Sequence, residues 1–295
     1  MDEPIFSMRA QDTPWCQNYI QTHASSAVIC LLEEFNLFKD ATFPSASRLN
    51  ALTAQYYKLW PGPEFVAQSS LDETEQRYYE EIIQQDNIVP TRENSWHDLF
   101  NALIWLQFPK TKGVLNRLHM QDINTTGVHP RTPRRNRITH FDECGLVLAI
   151  EAGDEALANR LLSQLAQHQW RQCFVEHKAQ WWNYITPVVF GHANLEMMLS
   201  PFIGLTGKWL AVSVPSGFHQ LDFWSQRKIL DNALVERIHA LGDFTRSALL
   251  KPIPLLGIPL WYAQQDDDFY ANTDYFRPLR KGAKQTIQLP FNELL

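Results

Sequence analysis

The 295-residue chain has no long hydrophobic run. Its longest apolar stretches, such as residues 102–106 and 146–150, are far shorter than the roughly 18 residues needed to cross a bilayer. The N-terminal segment MDEPIFSMRAQD carries acids where a secretory or mitochondrial leader would need Lys or Arg. We therefore expect a cytoplasmic protein that does not associate with a membrane.

Cysteine and glycine are also scarce, which argues against several kinds of site. The four cysteines, at positions 16, 30, 144 and 173, form no C-x-x-C pair from which a zinc ribbon or a thioredoxin-type motif could be built. The 12 glycines form no P-loop and no G-x-G-x-x-G, and no G-x-S-x-G nucleophile motif occurs. The common nucleotide-binding loops and the serine-hydrolase elbow are therefore not expected.

Apolar and aromatic residues are plentiful, at 45% and 12% of the chain, with 10 tryptophans. This content is ample for a packed core, and no repeat or linker divides the chain. We predict a helix-rich α+β fold with a small sheet, forming a single domain over residues 1–295. Residues 24–251 are predicted as its helix-rich core and residues 252–295 as an irregular, Pro- and aromatic-rich C-terminal strap.

Local patterns predict the order of the elements. Hydrophobic spacing and capping residues predict helices over 24–38, 96–108, 154–167, 187–199 and 221–241. β-rich composition predicts strands over 137–150 and 208–214. The prolines and glycines between residues 109 and 139 favour a region that is mostly loop, with a short helix at 113–121.

Positive charge is concentrated in one part of this acidic chain. The overall charge is −6, yet residues 99–141 carry seven basic residues against one acid, a local charge of +6. Four of the basic residues, Arg131, Arg134, Arg135 and Arg137, lie within seven positions. Because forked guanidinium donors suit phosphate, we predict a phosphate-binding loop; the alternative is a solvated loop whose arginines pair with the protein's own acids.

Histidines and acids form a second concentration. On the predicted strand, His140 and Asp142 share a face; on the predicted helix, His192 and Glu196 share another. Imidazole and carboxylate together suit zinc, iron or manganese, so we predict these four residues as ligands of a divalent metal. Taken singly, each histidine could instead be a hydrogen-bonded core residue.

Two further residues are predicted to take part in catalysis near that cluster. His97 lies in the first turn of the predicted 96–108 helix, and Glu143 directly follows Asp142. Imidazole and carboxylate can act as general acid and base with or without a metal. These are the candidate catalytic residues.

The patterns support an enzyme, metal-dependent or acid/base, that acts on a phosphate-bearing substrate. An alternative is a non-catalytic module that binds RNA or a nucleotide through the Arg131–Arg137 loop and nearby aromatics. A third is an adaptor that uses the aromatic C-terminal strap as a partner surface, which requires that strap to be exposed. No sequence feature indicates the oligomeric state.

Several segments resemble one bacterial family, the domain of unknown function 3025. They are NSWHDLFNALIWLQFPKTKGVLN (94–116), THFDECG (139–145), FGHANLE (190–196), LLGIP (255–259) and FYANTDYFRPLR (269–280). The resemblance implies a cytoplasmic bacterial protein of one domain. It brings no established activity, cofactor or catalytic residue.

Overall fold

The computed structural model describes residues 12–153 and 155–291. Its α-helices are α1 (Gln17–His23), α2 (Ser26–Glu34), α3 (Ala46–Tyr56), α4 (Tyr79–Asp86), α5 (Trp96–Gln107), α6 (Pro109–Thr126), α7 (Pro133–Cys144), α8 (Glu155–Ala166), α9 (Lys178–Tyr184), α10 (His192–Met197), α11 (Phe223–Ala240) and α12 (Asp267–Ala271). Its strands are β1 (Glu64–Ala67), β2 (Ile88–Thr91), β3 (Gly145–Glu151), β4 (Ile185–Val189), β5 (Thr206–Val214) and β6 (Lys251–Pro254). The predicted helix-rich α+β class is confirmed.

A four-stranded sheet in the order β4-β3-β5-β6 forms the centre of the fold. β3 and β5 run parallel, and the two edge strands pair with them antiparallel. Residues Leu146–Ile150 of β3 are at most 2% exposed, which a continuous apolar run predicts for a strand covered on both faces. A separate parallel pair joins β1 to β2. No helix in the described ranges has both the length and the apolar character that crossing a bilayer requires.

α5 and α6 follow one another almost without a break. The Ser95 hydroxyl accepts a hydrogen bond from the Asp98 amide and begins α5. Pro109, predicted to be a stop before a region that is mostly loop, is instead the first residue of the 18-residue helix α6. The predicted short helix at 113–121 is the middle of this longer helix, and the loop prediction was wrong for its two ends, because proline has no amide to lose at the first position of a helix.

The first half of the predicted 137–150 strand is also helical. Thr132 caps α7 through its hydroxyl, which accepts the Arg135 amide, and Pro133 takes the first helical position. The buried side chains are Arg135, Ile138 and Phe141, at helical spacing. An arginine in the buried stripe concealed the helical period, since only apolar residues reveal it. The strand prediction holds only from Gly145 onward.

The predicted helix over 187–199 divides into a strand and a shorter helix. Pro187, interpreted as a first helical residue, lies in β4 opposite Leu148 of β3. β4 is an edge strand, where a proline can be accommodated. The helical part begins only at His192.

The C-terminal segment covers the core. Phe269, Tyr275 and Phe276 are 5–8% exposed, and the half-buried Tyr270 donates its hydroxyl to the Gly257 carbonyl at 3.0 Å. These aromatic side chains therefore do not form the exposed surface that the adaptor hypothesis requires.

Candidate metal centre

Three helix ends meet at one place. His97 lies in the first turn of α5, Glu143 in the last turn of α7, and His192 begins α10. α10 reaches α7 directly because Gly191 has no side chain: a Cβ there would lie 2.5 Å from the Glu143 carbonyl and from the Gly145 amide. This close backbone contact brings the three side chains together.

The three side chains present ligand atoms to one point. Nε2 of His97 and Nε2 of His192 are 3.1 Å apart, and Oε2 of Glu143 is 3.3 Å from His192 Nε2 and 4.0 Å from His97 Nε2. Ligand nitrogens bound ~2.0 Å from a tetrahedral ion are separated by ~3.3 Å. Two imidazole nitrogens this close, each with a lone pair available, require a proton or a cation between them.

Glu196 holds His97 in this orientation. Its Oε2 accepts the Nδ1–H hydrogen bond of His97 at 3.0 Å, which leaves Nε2 directed at the cluster. A carboxylate bonded to the far nitrogen of a histidine is the usual support of a metal-binding imidazole. The hydrogen bond to Glu196 raises the pKa of His97, although burial opposes the shift.

The other two members of the cluster are shaped by burial. His192 is 4% exposed, and desolvation lowers its pKa to about 3, so its imidazole is neutral at neutral pH. Burial, and then the charge of Asp142, raises the pKa of Glu143. A divalent cation among these groups would supply the positive charge that the carboxylates lack and would use the lone pair that neutral His192 offers.

A buried ion pair lies beside the cluster. Nζ of Lys112 contacts the two carboxylate oxygens of Asp142 at 2.6 and 2.8 Å and donates to Oδ1 of Asn101 at 2.9 Å. Burial alone would raise the pKa of Asp142, but the Lys112 ammonium outweighs it and the pKa is lowered. Asp142 is thereby neutralised by a lysine.

The cluster opens into a cleft of about 360 Å³. His97, Glu143 and His192 line it, together with Tyr78, Tyr79, Glu80, Arg92, Asp98, Asn101, His119, Arg131 and Asp142, among others. Within the cleft, Nδ1 of His119 is 3.8 Å from Oε1 of Glu80. Burial lowers the pKa of His119 to about 4 and raises that of Glu80, so both groups favour their neutral forms.

The structure therefore brings together only some of the predicted metal and catalytic residues, and their positions differ from the predicted roles. His192 does point into a possible metal centre, but its partners are His97 and Glu143, which were predicted as catalytic groups. Glu196 lies behind His97 instead of in the cluster, and Asp142 faces Lys112. His140 is exposed on α7, and a helix does not place it on the same face as Asp142 as a strand would.

The predicted phosphate-binding loop comprises Arg131, just before α7, and the first turns of that helix, and its arginines bond to other residues of the protein. Arg135 is fully buried and donates to the Val128 carbonyl at 2.6 Å, and Arg134 pairs with Asp122 at 2.5 Å. Arg137 donates to the carbonyls of residues 244 and 245. Of the alternative, a solvated loop whose arginines pair with the protein's own acids, the acid pairing is present at Arg134, but from Pro133 onward the segment is a helix and Arg135 is buried. Arg131 is the one of the four that lines the cleft.

A family model described as "Protein of unknown function (DUF3025)" matches residues 63–280. The chain belongs to this family. The matched region includes all three cluster residues, His97, Glu143 and His192, and Glu196, which bonds to His97. Searches of curated proteins and of solved structures found no match. The family description assigns no activity.

Sequence reasoning missed several polar residues in and beside the cleft, among them Glu80 and His119 in its lining and Lys112, which bonds to Asn101 and Asp142. The signal for two of them lies in α6, where Lys112 and His119 are seven residues apart and hence share a face of the helix. Both are 5% exposed, on a face that also carries Leu115 and the buried Asn116. Because this region was predicted to be mostly loop, the seven-residue spacing was not interpreted as placing the two residues on one face of a helix.

Proposed function

We propose that this protein is a metal-dependent hydrolase of phosphate-bearing small molecules. The observation that carries the proposal is the convergence of His97, His192 and Glu143 at the wall of an open cleft. Two histidines and one carboxylate suit zinc, iron or manganese and leave at least one coordination position free. When bound, such a metal activates a water molecule and polarises a phosphoryl oxygen.

The surrounding residues fit the demands of that chemistry. Glu196 orients His97, and Lys112 neutralises Asp142 so that Asp142 does not compete as a ligand. Glu80 and His119, in the same cleft and both shifted towards their neutral forms, are suited to move protons to and from a substrate. They are the candidate acid and base.

Arg131 supports the choice of an anionic substrate. It lines the cleft, and among the described residues no carboxylate forms an ion pair with it; its guanidinium donates to the Thr139 hydroxyl. Arg92, in contrast, is occupied by Asp98 at 2.7 Å. A guanidinium available to a cleft is a good partner for a phosphate group.

We also propose a cytoplasmic location. The four cysteines are free thiols, as expected in a reducing compartment. The bacterial origin implied by the resemblance stays a prediction.

Metal content of untagged protein tests the first half of the proposal. We expect about one zinc, iron or manganese ion per chain by elemental mass spectrometry. The metal content should be roughly tenfold or more lower in His192→Ala and Glu143→Gln, since each variant removes one of three ligands. His140→Ala is the matched control, because this exposed histidine lies outside the cluster and its variant should keep the metal. A metal-free wild type that also fails to take up any of the three ions on titration would refute the metal centre. That result would leave an acid/base site, in which His97 and His192 share a proton, as the explanation of the cluster.

Hydrolysis of a panel of phosphate monoesters and diesters by the metal-loaded protein tests the second half. Arg131→Gln should raise KM without reducing metal content, because Arg131 contacts the substrate and not the ion. Metal-loaded protein without activity on any member of the panel would contradict the substrate class while leaving the metal centre intact.

A further inference from the structure

A second cavity, of about 520 Å³, shares no lining residue with the cleft of the metal centre. Its floor is the junction of β5 and β6, where Thr206 pairs with Pro254 and Lys208 with Pro252. Residues opposite each other in an antiparallel pair present their side chains on the same face. The C-terminal segment, residues 274–283, forms much of the remaining wall.

Four cations line this cavity against one acid. They are Lys208, Lys251, Arg277 and Arg280, and the acid is Asp274. Within residues 12–153 and 155–291, none of the four is ion-paired with a carboxylate at 4 Å or less. In a chain of net charge −6, this concentration of unpaired positive charge makes the cavity a favourable environment for an anion.

Two of the cations are held in place by backbone contacts that leave donors available. Nζ of Lys251 donates to the Lys284 carbonyl and retains two further N–H bonds. Nε of Arg277 donates to the Asp274 carbonyl at 2.9 Å, so that its two terminal nitrogens remain free to bind a ligand. Lys251 is 9% exposed and therefore already largely desolvated, which strengthens its attraction for an anion.

An aromatic wall completes the cavity. The rings of His168 and Trp170 lie 4.6 Å apart, and both bond to the Arg277 carbonyl, His168 through Nδ1 at 3.0 Å and Trp170 through Nε1 at 2.9 Å. The Tyr275 hydroxyl is occupied by backbone atoms of Leu205 and Leu256, so its 7% exposed ring contributes only apolar atoms to the lining. The half-buried His168 ring, anchored in this way and backed by the buried Trp170, is suited to stack on a flat ligand.

We propose that this cavity is a binding site for a nucleotide-like ligand, a small molecule that combines phosphate groups with an aromatic ring. The four unpaired cations would bind the phosphates, and the His168–Trp170 wall would contact the ring. The volume lies in the ordinary range of small-molecule pockets. The site is independent of the metal centre, so it does not rest on the function proposed above.

Calorimetric titration of the full-length protein with ADP, AMP, adenosine, inorganic phosphate and citrate tests the assignment. We expect ADP to bind with a Kd below about 1 mM, more tightly than AMP or phosphate, because each added phosphate engages further cations. Lys208→Gln and Arg280→Gln should each weaken ADP binding about tenfold, and raised salt should weaken it as well. Lys178→Gln, which changes an exposed lysine on α9 outside the cavity, should have no effect.

Two controls separate this site from the metal centre. Arg131→Gln, and protein treated with a chelator, should bind ADP as the wild type does, because neither change touches the second cavity. The proposal is overturned if none of the five compounds binds, if Lys208→Gln and Arg280→Gln bind ADP normally, or if binding is lost only in Arg131→Gln. Citrate binding as tight as that of ADP would overturn the nucleotide-like assignment, since it would require charge alone.

Discussion

Replacing Lys112 by methionine should destabilise the protein by about 3 kcal/mol. Lys112 is 5% exposed, and its ammonium lies 2.6 and 2.8 Å from the oxygens of Asp142. Methionine keeps most of the side-chain volume, so the main effect is an Asp142 carboxylate that has lost its counter-charge. The loss falls at the lower end of the ~3–5 kcal/mol range for breaking a buried pair, because the Asp142 side chain is 24% exposed to water.

A double-mutant cycle isolates the contribution of the pair. Lys112→Met and Asp142→Asn should each be costly alone, and the double variant should cost less than their sum by at least ~1.5 kcal/mol. The matched control is the pair Arg171–Asp267, which has a similar separation of 2.8 Å but whose side chains are 51% and 81% exposed. Arg171→Met should change stability by less than ~0.5 kcal/mol, so the comparison measures the effect of burial at constant geometry.

The pH dependence gives a second, independent readout. In the wild type, Lys112 holds the pKa of Asp142 below its usual range, so the pair stabilises the fold above the unfolded-state pKa of ~3.9, and this stabilisation is lost as pH falls through the folded-state pKa. In Lys112→Met, burial acts alone and raises the pKa of Asp142, so the folded state gains a proton as pH falls. The deficit of the variant should therefore be smaller at pH 5 than at pH 7.

Urea unfolding followed by tryptophan fluorescence measures these quantities. The reasoning would be refuted by a deficit below ~1 kcal/mol at pH 7, by an additive cycle, or by a deficit that increases at pH 5.

Two further predictions concern the docking of the helices and the buried histidine of the cleft. Gly191→Ala should lower stability by ~2 kcal/mol or more and reduce metal content, because its Cβ would overlap the backbone of residues 143–145. The control Gly113→Ala in α6, where the nearest atom is 3.6 Å away, should instead stabilise the protein by ~0.5–1 kcal/mol. Equal melting temperatures for the two variants would contradict this prediction. Burial lowers the pKa of His119 to about 4, below the ~6.5 of the unfolded chain, so the wild type should lose up to ~1.4 kcal/mol of stability per pH unit as pH falls from 6.5 towards 4. His119→Gln should lack this part of the loss. An identical pH dependence of the urea midpoint in the wild type and the variant would contradict the prediction.

Where the hydrophobic period was uninterrupted, the sequence was sufficient to locate an element. Three elements lie within a few residues of their predicted bounds: the Ser95-capped helix α5, the strand β5 that ends at Val214, and the long helix α11 before Leu241. The errors occurred where a residue is compatible with two different local structures. Pro109 can end a helix or begin one, and Thr186-Pro187 can cap a helix or occupy an edge strand. Local sequence does not distinguish these alternatives, since packing elsewhere decides between them.

The amino-acid sequence by itself determined the fold class, the family, and the residue types available for chemistry: histidines and carboxylates near positions 97, 142 and 192, and an excess of arginine over residues 131–137. Only the tertiary structure decided which of them meet. α7 is a helix and not a strand, which turns His140 outward and Glu143 inward, and the contact at Gly191 brings His192 against His97. Ligand geometry depends on distances between segments almost one hundred residues apart, and such distances are set by packing, which the spacing of residues within one segment does not record.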